Sequence, residues 1–167
     1  FGTVRAFLDS GDWSLLGVSQ YKTPVDLSVN PFPGAGFYPA GWHVLTALVA
    51  DVVQVPVVVA SNAVNVLFAG MVFPMGMFAL MGVLFPDRRS AVALGAVACV
   101  SFAAFPWALY TSWQLFPNAA ATAVLPALAF LFVAMGERSA GLGRRQLTVP
   151  FGCTLASVVV LQPNAAF

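Results

Sequence analysis

Charged side chains are scarce in this sequence. Seven of its 167 residues are Lys or Arg and six are Asp or Glu, so charged residues make up 8% of the chain, against about 25% in soluble globular domains. Hydrophobic residues make up 60%. This balance excludes an ordinary water-soluble core and indicates an integral membrane protein. The formal net charge of +1 leaves no basic face to neutralise phosphates, which argues against nucleic acid as a partner.

Residues that carry chemistry are also few. Cys99 and Cys153 lie singly in apolar runs without a CxxC pair, so a zinc site or a disulfide is not expected and both are interpreted as small buried hydrophobes. The one histidine, His43, allows a single Ser–His pairing, and no GxSxG motif accompanies it, which argues against a hydrolase. Apart from Asp51, the apolar segments lack the ionisable residues that ion-coupled transporters carry.

The longest uncharged stretch determines the predicted membrane topology of the chain. Ser90–Gly136 contains no Asp, Glu, Lys, Arg or His and is more than twice as long as the roughly 20 apolar residues of one bilayer crossing. It predicts a transmembrane hairpin that turns at Gln114–Asn118. Five of the seven basic residues flank this hairpin: Arg88, Arg89, Arg138, Arg144 and Arg145. Because short loops rich in Lys and Arg stay in the cytoplasm, we expect both ends to face inward and the turn to face outward.

The fold class predicted from these patterns is an all-α polytopic transmembrane bundle in the cell membrane. Residues 1–36 are expected to form an extracytoplasmic loop segment, 37–56 an interfacial juxtamembrane helix, and 57–167 the bundle. The four predicted spans are 57–85, 91–112, 118–136 and 147–162. Because the sequence begins with Phe1 rather than Met and stops without a terminating signal, we expect it to be a fragment of a longer protein.

The segment before the first span is short. Pro39–Val53 holds only about a dozen apolar residues before Asp51 and Pro56 interrupt it, which is typical of a helix lying in the membrane interface. Three residues at or just before the start of this segment have amphipathic rings of the kind that lie at the level of the lipid headgroups: Tyr38, Trp42 and His43. We expect this helix to lie at the outer surface. The alternative is a true span at 41–55, which would place the loop inside, and the two basic residues of that loop barely constrain the choice.

Prolines and glycines mark the predicted spans. We expect Pro74, Pro106 and Pro126 to kink their helices and Pro150 to lie near the start of the last span. Glycines in the first span permit close helix packing: Gly70, Gly76 and Gly82. Kinked helices suggest a cavity, because the backbone groups freed at a kink need partners.

A four-residue sequence occurs twice. Pro-Asn-Ala-Ala stands at 117–120 and again at 163–166, and the predicted topology places both copies at the outer surface. One interpretation is that each Asn caps a helix with its side-chain oxygen. The other is that Asn118 and Asn164, with Gln114 and Gln162 nearby, line one polar site that faces the loop 1–36.

Several segments together resemble a family of large, uncharacterised bacterial polytopic membrane proteins. They are Phe37–Leu48, Leu115–Asn118 followed by Leu125–Leu128, and Gln162–Asn164. That family is in turn similar to the GT-C glycosyltransferases, in which a first outer loop with juxtamembrane helices leads into the next span. The resemblance implies a polyprenyl-phosphate-linked sugar as donor, a cell-envelope glycan as acceptor, transfer on the outer face, and an acidic residue of the first outer loop acting as base or metal ligand.

The resemblance also assigns candidate site residues. In GT-C enzymes the acid usually follows the first transmembrane helix, which this sequence lacks, so the acid either precedes Phe1 or is Asp9 or Asp12. The carboxylate would take a proton from the acceptor hydroxyl, and Lys22, Arg5 or a bound divalent metal ion would face the donor phosphate. The residues predicted to bind substrate are Lys22, Tyr38, His43, Asn118 and Asn164. The competing function is a non-catalytic envelope scaffold or a lipid-binding or transport protein, in which the outer polar residues only cap helices.

Overall fold

The computed structural model describes residues 2–14, 39–136 and 144–165. Every regular element in these ranges is helical, which confirms the all-α prediction. The α-helices are α1 (Gly2–Ser10), α2 (Gly41–Val53), α3 (Val57–Leu67), α4 (Phe73–Leu84), α5 (Arg89–Ala98), α6 (Phe116–Gly136) and α7 (Arg144–Leu161). Two π-helical segments (Phe68–Val72 and Ala103–Ser112) and two 3-10 segments (Cys99–Ser101 and Pro163–Ala165) accompany them.

Three of the helices are long and apolar enough to cross a membrane. They are Val57–Leu84, which joins α3 and α4 through a π-helical turn, Arg89–Ser112, which begins with α5, and Phe116–Gly136, which is α6. Their length and composition indicate a membrane protein. The apolar helices α2 and α7 are shorter. The fourth predicted span, 147–162, therefore stays a prediction.

The chain forms two compact units, Phe1–Val64 and Asn65–Phe167. The boundary between them lies inside α3, whereas the predicted division put the bundle's start at residue 57. That three-part division stays a prediction.

In the first unit α1 packs against α2. The buried side chains of α1 are Val4 and Phe7, three residues apart and so on one helix face. The helix ends at Gly11, whose φ of 68° is a left-handed conformation that costs glycine little. The exposed side chains of α2 are apolar apart from Asp51, with Val52 70% exposed, which suits a helix lying in a membrane interface.

In the second unit α6 is the central helix, in contact with both α4 and α7. Helices α4 and α5 form an antiparallel hairpin, in which Gly95 lies against the side chain of Met81. Further along the same hairpin the rings of Phe73 and Phe105 have centroids 4.4 Å apart. Helices α6 and α7 are also antiparallel neighbours, because the ring of Phe132 near the end of α6 meets the ring of Phe151 near the start of α7.

The second candidate span is broken. The backbone is extended at Phe102 (φ −76°, ψ 133°) and at Phe105 (φ −132°, ψ 133°), which agrees with the bias of a residue before proline away from helix. The indole Nε1–H of Trp107 donates to the carbonyl of Val100 across the break, at 2.9 Å. The predicted distortion at Pro106 is therefore a break in the helix. Pro126 and Pro150, by contrast, lie inside continuous helices.

Candidate functional site

The two candidate acids lie at the end of α1, and both are exposed. Asp9 stands on the last turn of the helix. Asp12 lies in the turn that follows, where its Oδ1 accepts a hydrogen bond from the backbone N–H of Ser14 at 3.0 Å. The hydroxyl of Ser10 accepts from the backbone N–H of Asp12 at 3.1 Å. Asp12 therefore stabilises a turn. Within the described residues, no hydrogen bond of this kind engages the Asp9 carboxylate.

The tryptophan of the same turn fixes its position on α1. The indole Nε1–H of Trp13 donates to the carbonyl of Phe7 at 3.0 Å, and the N–H of Gly11 donates to the same carbonyl at 3.0 Å. Two donors thus satisfy one of the last carbonyls of the helix. The turn is held by its own side chains, so the positions of Asp9 and Asp12 relative to α1 are well defined.

His43 lies on the first turn of α2 and is 8% exposed. Its ring meets the indole of Trp42 edge to face, with centroids 5.2 Å apart. Burial lowers the pKa of His43 from 6.5 to about 4, because the apolar surroundings disfavour the imidazolium. The imidazole is therefore neutral at pH 7. It can exchange hydrogen bonds with a hydroxyl, but it offers no positive charge to a phosphate.

Thr46 is a polar residue of this region that the sequence analysis missed. It lies three residues after His43 on the same face of α2 and is fully buried. Its Oγ1 has no hydrogen-bond partner among the described residues, although buried hydroxyls are normally paired. The only sequence signal was its place in an otherwise apolar run, at helical spacing from His43.

The remaining candidates belong to the second unit or lie outside the described residues. Helix α6 begins at Phe116, so Asn118 is its third residue, which does not fit the interpretation in which Asn118 is the N-cap of this helix. Asn164 lies in the 3-10 turn Pro163–Ala165, which packs against α6. Because α6 and α7 are antiparallel, the two Pro-Asn segments lie at the same end of this helix pair. Lys22 and Tyr38 fall outside the described residues.

No cluster of three or more His, Cys, Asp or Glu side chains with metal-binding geometry occurs in the ranges 2–14, 39–136 and 144–165. The predicted divalent metal ion has no such ligand set among these residues. The described part of the first unit instead offers one exposed carboxylate on α1 and, on α2, a neutral imidazole and an unpaired buried hydroxyl. Together these groups can accept a proton and bind hydroxyl groups.

The model of one protein family matches residues 1–167. The chain belongs to DUF6541, a family of unknown function. No curated protein and no solved structure matches the chain. The predicted membership of an uncharacterised family is thus confirmed over the whole chain, and the three apolar helices indicate that this DUF6541 protein is a membrane protein.

Proposed function

We propose that this DUF6541 protein is a membrane-embedded glycosyltransferase of the GT-C type. It transfers a sugar from a polyprenyl-phosphate donor to a cell-envelope acceptor on the outer face of the membrane. The observation that carries the proposal is the compact pairing of α1 with the short helix α2, directly before the first candidate span. Juxtamembrane helices at this place in the chain are what the resemblance to GT-C enzymes implies.

The proposed orientation follows from charge and helix length. Arg88 lies between the first two candidate spans and Arg89 begins the second, and basic residues at this place favour the cytoplasm. Helix α2 has 13 residues, about 20 Å at 1.5 Å per residue, which is less than the roughly 30 Å of a hydrocarbon core. A single crossing, Val57–Leu84, then separates the α1–α2 unit from these arginines. The unit accordingly lies at the outer surface.

Asp9 is the better of the two described candidates for the base. Asp12 is engaged in its turn through Ser14, whereas Asp9 projects from the last turn of α1. In the proposed reaction the carboxylate takes the proton of the acceptor hydroxyl as its oxygen attacks the anomeric carbon. The bond from that carbon to the donor phosphate oxygen breaks, and polyprenyl phosphate leaves with the electron pair. His43 would exchange hydrogen bonds with a sugar hydroxyl.

The test is a transfer assay with the full-length protein in proteoliposomes, supplied with polyprenyl phosphates carrying different radiolabelled sugars and with envelope glycan acceptors. We expect the wild type to transfer one sugar. Asp9→Asn should reduce transfer by at least about 100-fold, the usual contribution of a general base, while the matched variant Asp12→Asn should keep most of it. Absence of transfer from every donor would contradict the proposed activity, and full activity of Asp9→Asn would contradict the assignment of the base.

A non-catalytic lipid-binding role is the second candidate. The observation in its favour is that the described acids of the outer segment are exposed and that one of them, Asp12, serves a turn. In that case the protein would bind a polyprenyl-phosphate sugar without transferring the sugar to an acceptor, and Asp9→Asn would leave binding of this lipid unchanged. Measuring donor binding beside transfer separates the two candidates.

A further inference from the structure

A cavity of about 400 Å³ lies where the end of α6 meets the start of α7. Its lining residues are Phe132, Val133, Met135, Gly136 and Thr148. This volume falls within the roughly 300–1,000 Å³ of small-molecule sites. The lining is apolar except for the hydroxyl of Thr148, so an apolar ligand segment fits it.

The cavity lies at the end of a candidate span. Phe132 and Gly136 are four residues apart, about 6 Å along the helix axis, and Gly136 is the last residue of α6. Phe132, one of the lining residues, is 67% exposed. Because α6 is a candidate span, the cavity lies near one end of the proposed crossing.

One basic residue, Arg145, lies close along α7 to the cavity-lining residue Thr148. Arg145 is exposed on the first turn of α7, three residues before Thr148 and therefore about 5–6 Å from it between Cβ atoms. Side chains on a helix lean toward its N-terminus, so Arg145 extends from the cavity toward the end of the span. The chain around it is basic, with Arg138, Arg144 and Arg145 against the single acid Glu137.

We propose that this cavity binds an anionic membrane phospholipid, with an acyl chain against Phe132, Val133 and Met135 and the phosphate beside Arg145. Charge complementarity selects the ligand, since basic groups between membrane helices attract anionic headgroups. The first backbone N–H groups of α7 add to this attraction, because a helix N-terminus favours negative charge. This site is independent of the proposed glycosyl transfer, which takes place at the opposite face of the membrane.

The test is native mass spectrometry of the full-length protein released from detergent, titrated with phosphatidylglycerol or with phosphatidylcholine of the same acyl chains. We expect the wild type to bind one phosphatidylglycerol more tightly than phosphatidylcholine. Arg145→Gln should weaken the binding of phosphatidylglycerol about fivefold, since one basic residue near a membrane surface contributes about 1 kcal/mol. Binding of phosphatidylcholine should not change.

Two matched controls keep the result specific. Arg89→Gln removes an exposed arginine at a helix start that lies outside the cavity lining and should leave the phosphatidylglycerol preference intact. Val133→Trp fills the cavity and should abolish the tight site for both lipids, whereas Val97→Trp, at a lipid-facing position that is 71% exposed, should not.

Three outcomes would overturn the proposal. They are an equal loss of phosphatidylglycerol binding in Arg145→Gln and Arg89→Gln, retention of the tight site in Val133→Trp, and displacement of phosphatidylglycerol by a much lower concentration of polyprenyl phosphate. The last would show that the cavity holds the carrier lipid rather than a membrane phospholipid.

Discussion

The described parts of the two units differ in the largest side chains that they bury. In the unit Phe1–Val64 large and polar residues are buried, among them Trp42, His43 and Thr46. In the unit Asn65–Phe167 the core of α6 is built from alanines that are fully buried: Ala119, Ala120, Ala121 and Ala123. Buried alanines occur in both units, so the difference lies in the large ring and the polar side chains that the first unit buries beside them.

The difference follows from the solvent that each unit is expected to meet. In water, burying a large apolar side chain is itself stabilising. In lipid no such gain exists between helices, so small residues are favoured because they let backbones approach and increase van der Waals contact. At Gly76 of α4 an added Cβ would lie 2.9 Å from the backbone nitrogen of Ala127 on α6, which shows how close that approach is.

The largest effect is expected from truncating Trp42, a large side chain buried in the first unit. Trp42 is 1% exposed, and removing a buried tryptophan side chain costs about 3–5 kcal/mol. Trp42→Ala should therefore unfold the α1–α2 pair, measured as rapid proteolysis near residue 12 in the reconstituted protein. Trp113→Ala serves as the control, because Trp113 is 62% exposed. Equal proteolysis of both variants would mean that this pair is not held by a large-residue core.

The next effect is a loss of stability in acid. The pKa of His43 is lowered to about 4 in the folded unit, against about 6.5 in an unfolded chain. The unfolded state therefore binds more protons between these values, and stability falls as pH drops from 6.5 to 4 and then levels off. The loss from this group is at most about 3 kcal/mol. Thermal unfolding at pH 7 and pH 4.5 should show it in the wild type and show a smaller loss in His43→Gln.

A glycine of the second unit should be sensitive to a single methyl group. Gly76→Ala forces α4 away from α6 at Pro126 and Ala127 and should cost about 1–3 kcal/mol. Gly82→Ala, on the same helix, meets nothing within 4 Å and should be neutral. Thermal unfolding in nanodiscs compares the two variants. If both lost the same stability, close backbone packing would not be the reason for the cost at Gly76.

The smallest effect is expected at the break in the second candidate span. Trp107→Phe keeps an apolar ring but removes the donor to the Val100 carbonyl. Hydrogen bonds between groups in membrane proteins contribute about 1 kcal/mol, and we expect a loss of that size. Trp113→Phe is the matched control, outside the helices. An unchanged unfolding temperature for Trp107→Phe would show that the Val100 carbonyl finds another donor.

Much of the helical framework could be predicted from the sequence. The predicted spans 57–85, 91–112 and 118–136 agree closely with the helices Val57–Leu84, Arg89–Ser112 and Phe116–Gly136, because long uncharged runs leave the backbone few alternatives in a membrane. The end of α2 was also predictable. Gln54, with φ 57°, ends this helix two residues before Pro56.

The break in the second span could not be located from sequence. Pro106, Pro126 and Pro150 give the same local signal, yet only Pro106 follows an extended residue, Phe105, while the other two lie in continuous helices. At Pro106 the indole of Trp107 bridges the break by its hydrogen bond to the Val100 carbonyl, a contact that the proline alone does not reveal. The cavity beside Thr148 could not be predicted from the sequence either, because its lining residues come from two different helices.

The central claim is the proposed orientation, in which Asp9 and Gln114 both face the outer side of the membrane. It can be tested in the full-length protein with Cys99 and Cys153 replaced by alanine and single cysteines at exposed positions, Asp9→Cys, Gln114→Cys and Asp87→Cys. A membrane-impermeant maleimide applied to intact cells should label positions 9 and 114, and position 87 only after permeabilisation. Labelling of position 9 only after permeabilisation would contradict the account, because it would place the unit in the cytoplasm and make α2 a crossing.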